Sequence, residues 1–146
     1  MTITFKTGAP ITCAMLGAFA AGYALSAAQA DVVRFTPLVS ASETVLGEPI
    51  AYPTARPKVT TGILALAPGE ETGWHTHGAT PAGIVLDGEL TVDYGDKGKR
   101  TYHKGESVIE TMATPHNGKN TGNDVMRLFV VFVGAEGTAN TTPVKP

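Results

Sequence analysis

The sequence predicts an all-β fold, an antiparallel sandwich or barrel of modest size. After Pro57 it breaks into short runs rich in β-branched and aromatic residues, separated by glycine-bearing turns. Beyond the first thirty residues no window sustains a 3.6-residue apolar period, so little helix is expected. Val125 to Val133 closes the series as a buried run of branched and aromatic side chains.

Residues 1–30 read as a signal peptide rather than as part of that fold. Lys6 supplies a positive start, Ala9 to Leu25 an apolar run, and Ala28-Gln29-Ala30 the small-x-small cleavage pattern before Asp31. The apolar run is Gly- and Ala-rich and shorter than the ~20 residues a membrane span prefers. Cleavage after Ala30 would leave 116 of the 146 residues, enough for one ordinary core. A periplasmic or secreted bacterial protein, not associated with a membrane after cleavage, is therefore expected.

Cys13 is the only cysteine and lies inside this stretch, so the mature chain is expected to have neither a disulfide nor a thiol nucleophile. All thirteen acids and ten of the eleven bases follow Ala30, which makes the mature charge near −3. That excess of acid argues against nucleic acid as a partner and leaves a small molecule as the expected one.

Residues 31–57 are interrupted by Pro37, Pro49, Pro53 and Pro57. They read as an N-terminal arm with one or two edge strands, because proline removes ladder donors. Val59 to Ala67 is a strand ended by Pro68-Gly69, and Trp74 to His77 starts another. Ile84 to Tyr94 is a pair of extended segments hinged near Asp87-Gly88, with a turn over residues 95–99. Arg100 to Tyr102 and Ser107 to Glu110 are strands on either side of the Lys104-Gly105 turn. Residues 135–146, rich in Thr, Ala and Pro, read as a mobile tail.

The chemistry concentrates in the histidines. On a strand, His75 and His77 share a face while Thr76 points the other way. Two imidazoles so placed form either half of a divalent metal site or a solvated patch of sheet. Trp74, of opposite parity, is expected to pack in the wall, and Met112, Phe129 and Phe132 to be core or rim. His103, between Tyr102 and Lys104 before a glycine turn, reads as a surface residue, and Glu70 and Glu71 as a solvated loop. Tyr94 and Tyr102 could present hydroxyls to a cavity.

The context resembles the cupin superfamily. Its first motif, G-x5-H-x-H-x3-4-E-x6-G, is met by Gly69, His75, His77 and Gly88, and its second, G-x5-P-x-G-x2-H-x3-N, by Gly105, His116 and Asn120. The resemblance covers about Val59 to Val133. It implies a single-domain cupin, a double-stranded β-helix or jelly-roll barrel over residues 58–134, with a divalent metal held by His75, His77 and His116 and a homodimer formed through the arm. Closure into a barrel would carry His116 to the pair.

One family position is lost. The spacing back from Gly88 lands on Pro81, so the usual glutamate ligand is missing, and Thr111 and Ala113 replace the Pro and Gly of the second motif. Three neutral imidazoles would leave a bound ion its full +2 charge, favouring an anionic or chelating substrate. Ala82 and Gly83 are expected to leave room for it. Glu110 shares parity with His116 along an uninterrupted strand, which makes it an extra ligand or a partner behind the ligands, although Thr114-Pro115 can break that register.

Cupins with three histidines and no glutamate include Fe(II) dioxygenases of thiols and diketones. The resemblance therefore implies a metal-dependent, dioxygenase-like enzyme using Fe(II), with Zn or Mn as other ions for the same ligands. A non-catalytic metal or small-ligand binding cupin, or a degenerate cupin without metal, are the alternatives.

Overall fold

The computed structural model describes residues 35–145, so the signal-like stretch and its cleavage site lie outside the described residues. The β-rich runs fold into nine strands: β1 (Pro57–Leu66), β2 (His75–Thr76), β3 (Thr80–Asp87), β4 (Glu89–Asp93), β5 (Lys99–His103), β6 (Ser107–Ile109), β7 (Asn117–Asn120), β8 (Met126–Ala135) and β9 (Thr142–Pro143). A 3-10 turn, Gly95–Lys97, joins β4 to β5. One sheet has the order β1-β8-β3-β6, a second β5-β4-β7, and β2 pairs with β9. All pairings are antiparallel, with only β4 and β5 joined directly by a short turn.

The hinge expected at Asp87-Gly88 separates β3 from β4. Gly88 has φ +75°, and a Cβ there would lie 2.8 Å from the Met126 Cα, so only glycine fits where the chain crosses from one sheet to the other. Between the sheets sit Leu66, Val85, Leu90, Val92, Tyr94, Met126 and Leu128, the buried core, with Tyr94 and Met126 its largest fully enclosed side chains. These positions alternate along β4 and β8, the period-2 burial of a strand with one face inward.

Two expectations outside the barrel are corrected. Residues 35–56 contain no edge strand. They form an irregular arm whose only ladder is a Glu43–Pro49 bridge, closed by Thr44 N–H to the Glu48 carbonyl, because Pro37, Pro49 and Pro53 interrupt any longer pairing. The arm is tied to the barrel by Val45 N–H donating to the Ile109 carbonyl and by Val45 and Leu46 packing on the core. Within the segment 135–146, expected as a mobile tail, the described residues up to 145 instead fold back: β9 pairs Thr142 with Thr76 and Pro143 with His75, and Val144 N–H donates to the Trp74 carbonyl. Composition suggested a loose end because two-residue pairing leaves almost no sequence signal.

Candidate metal centre

The two histidine-bearing segments zip against each other. Gly69 N–H donates to the Asn120 carbonyl, Asn120 N–H to Glu70, Thr72 N–H to Gly118, and His77 N–H to Met112. At the centre His75 and His116 are direct antiparallel partners that exchange both backbone bonds at 3.0 Å. Cross-strand partners share a face, so the His116 side chain emerges beside His75 and, two residues on, His77. Asn120 is fully buried and acts structurally: its amide donates to the Leu66 and Asp124 carbonyls and its oxygen accepts from Gly122.

The three rings converge. Their centroids lie 4.4 to 5.0 Å apart, and one ligand atom from each lies within 4.8 Å of the others. Each ring is fixed in the same way. His75 Nδ1 meets the Gly73 carbonyl at 2.7 Å, His77 Nδ1 the Asn140 carbonyl at 2.9 Å, and His116 Nδ1 the Thr114 carbonyl at 2.9 Å. A carbonyl only accepts, so each Nδ1 carries the proton and each Nε2 presents a lone pair. Burial lowers the pKa of all three, His77 to about 4, which keeps them neutral, the form that binds metal.

The Nε2 atoms of His77 and His116 stand 3.2 Å apart. With both protons on Nδ1 neither can donate, so this contact sets two lone pairs against each other and asks for a cation beside them. Metal–nitrogen bonds of about 2.0–2.1 Å at angles of about 90–110° put two ligands about 2.9–3.4 Å apart. The residues present therefore fit a divalent ion, held by three Nε2 atoms.

Glu110 is buried and lines the cavity, although the turn over residues 111–114 interrupts the strand parity that would have linked it to His116. It is not among the converging ligands; it lies on the wall of the cavity that the histidines line. Its backbone N–H donates to the Pro81 carbonyl, which puts it across the sheet from the position where the family carries its glutamate. Oε1 accepts from Thr111 N–H at 2.8 Å and Oε2 from the Tyr94 hydroxyl at 3.1 Å. Burial pushes its carboxyl above the ordinary range, and those two bonds offset part of the rise.

The cavity holds about 420 Å³ and runs from the histidines between the sheets. Phe132 lines it, 5.5 Å from the His77 ring, whereas Trp74 does not reach it. Gly83 also lines it, but for another reason than room for substrate: a Cβ there would lie 2.9 Å from the Phe129 carbonyl oxygen, so β8 needs the glycine. His103 is an exposed partner of Glu89 at 3.3 Å, and Glu71 pairs at the surface with Lys119.

Glu48 escaped sequence reasoning. Its carboxylate accepts from the Thr111 hydroxyl, from Met112, Ala113 and Thr114 N–H, and from the Thr114 hydroxyl, at 2.6 to 3.3 Å. It thus clamps the turn that leads into His116. Burial alone would raise its pKa, but these bonds outweigh it and hold the carboxyl at about 2. No spacing rule connects residue 48 to a turn more than sixty residues away.

The Cupin_2 family, a cupin domain, matches residues 62–132, a span that includes all three histidines. With the jelly-roll topology and both motifs in place, the chain belongs to the cupin superfamily. Among solved structures, an oxalate oxidase with its substrate analogue glycolate is 26% identical, with a TM-score of 0.48, over 56% of this chain and 45% of that one. The chain therefore spans less than half the length of that oxidase. The polyketide cyclase RemF from Streptomyces resistomycificus is 19% identical, with a TM-score of 0.52, and 64% of each chain is covered. No curated protein matches.

Proposed function

We propose that this cupin is an exported, metal-dependent, dioxygenase-like enzyme that holds Fe(II) on His75, His77 and His116 and acts on a small anionic or chelating molecule. The observation that carries the reading is the set of three Nε2 lone pairs, each aimed by a backbone carbonyl on Nδ1, with Pro81 at the position of the missing carboxylate. When bound there, Fe(II) would supply a Lewis-acid anchor for chelating oxygens and a redox partner for O₂.

The chain's own contribution is orientation, a dry pocket and one carboxyl group. Three imidazoles and no anion leave coordination positions free and leave the ion's charge for the substrate to meet. The apolar wall excludes water, which strengthens that attraction. Burial raises the pKa of the Glu110 carboxyl while bonds from Thr111 N–H and the Tyr94 hydroxyl oppose that rise, and Tyr94 holds the group in place beside the cavity.

Metal analysis of untagged protein should find about one equivalent, lost in a His77→Ala/His116→Ala variant. Fe(II)-loaded protein should then consume O₂ with thiols, diketones or catechol-like acids. One equivalent of Zn or Mn without O₂ uptake across that panel would leave a binding module instead, since affinity order alone favours Zn over Fe(II). Export predicts a mature N-terminus at Asp31 in the periplasm or medium, and a homodimer predicts twice the chain mass in solution.

A further inference from the structure

The wall of the cavity differs sharply from its histidine end. Leu64, Leu90, Val92, Leu128, Val130 and Phe132 contribute it from β1, β4 and β8. Among the residues that line the cavity there is no lysine or arginine, and Glu110 is the one carboxylate. Beyond the histidines, the remaining polar groups of the lining are the hydroxyls of Thr60, Thr61, Thr72 and Thr141, so a compact dianion whose second charge faced away from the metal would meet hydroxyls, a carboxyl group and hydrocarbon. Such a charge has no cationic partner there, and burying it without one is unfavourable.

Gly62 marks the path of the apolar part. It shares inward parity with Thr60, Leu64 and Leu66 on β1, lines the cavity, and a Cβ built on it meets nothing within 4 Å. Its φ lies outside the left-handed region, so no turn requires the glycine. Gly62 is exposed on this edge strand, so the open space beside it is the solvent-facing mouth of the cavity, next to the apolar wall.

From these observations, and resting on the metal reading above, we propose that the ligand of this cavity is amphipathic: a single chelating oxygen head at the histidines, followed by an apolar body that lies along β1 and β8 past Gly62. Small polar dianions such as oxalate are poor fits. Specificity then comes from the wall, since every three-histidine site offers the head the same contacts.

The test uses the full mature protein loaded with Co(II), whose visible spectrum reports both metal and ligand binding. Acetohydroxamate, hexanohydroxamate and benzohydroxamate present one head with different tails. Each buried methylene should tighten binding by about fourfold, and benzohydroxamate should bind about tenfold or more tighter than acetohydroxamate. Gly62→Phe, which fills the open space, should abolish the advantage of the tail while leaving Co(II) and acetohydroxamate binding as they were. Equal affinity across the series, or oxalate binding as tightly as benzohydroxamate, would overturn the proposal with the metal site intact. Failure of the protein to bind Co(II) would overturn the metal reading itself.

Discussion

The arm before β1 and the segment after β8 both lie outside the barrel strands that carry the histidines, yet each secures one of them, and by different atoms. Glu48 in the arm reaches the turn over residues 111–114 with a charged side chain that collects five hydrogen bonds. The C-terminal segment reaches His77 with a backbone carbonyl, that of Asn140, and is laid in place by the β2–β9 pairing. A side chain can be removed by one substitution; a carbonyl can be removed only by moving the chain. The first support therefore depends on residue identity and the second on path.

The largest effect should come from deleting residues 138–146. His77 loses the acceptor that fixes its tautomer and β2 loses its partner strand, so metal affinity should fall by about 10–100-fold, the usual cost of losing such a partner. Competition against a chromophoric chelator measures it. Gly78→Ala should act in the same direction without shortening the chain, since its Cβ would stand 2.6 Å from the Ala139 carbonyl oxygen and push the segment away.

Removing the arm's contribution should be felt mainly in folding. Glu48→Ala strands two hydroxyls and three N–H groups and should cost about 2 kcal/mol, toward the low end for bonds to a charged group because water reaches this site. Glu48→Gln should recover about half of that, as its amide oxygen still accepts. Urea unfolding of the metal-free protein decides both. Metal affinity should change less than in the truncation, because the Thr114 carbonyl on His116 remains.

The same comparison has a pH signature. Glu48 is depressed from 4.5 to about 2 in the folded protein. Its contribution is complete above the unfolded value and drains away as pH falls through that interval, because the unfolded chain takes up the proton first. The stability gap between wild type and Glu48→Ala should therefore be constant near neutrality and close between about pH 4.5 and 2. The smallest effect belongs to Asn140→Ala, which keeps the carbonyl and should alter stability by under about 0.5 kcal/mol. A large loss there would break the distinction between identity and path.

Much of this was legible in the sequence, and the gaps have a common cause. His75 and His77 could be paired from strand parity and His116 added from motif spacing, whereas the inward direction of Glu110 does not follow from parity, because a turn over residues 111–114 interrupts the strand between it and His116. The strands after Pro57 followed from branched runs and glycine turns. What stayed hidden depends on backbone atoms or distant contacts. The carbonyls of Gly73, Thr114 and Asn140 carry no residue identity, and Glu48 looks like any acid in a proline-rich arm until the fold brings residues 111–114 to it.

Pro81 and Glu110 face each other across β3 and β6, one at the vacated glutamate position and the other bearing the carboxylate. The acid thus stands one strand sideways from the family's position, on the cavity wall rather than among the converging ligands. A chain with Pro81→Glu and Glu110→Gln would move it back, setting an anionic group beside three neutral imidazoles. The charge that a bound ion meets is set by which of two neighbouring strands bears the carboxylate.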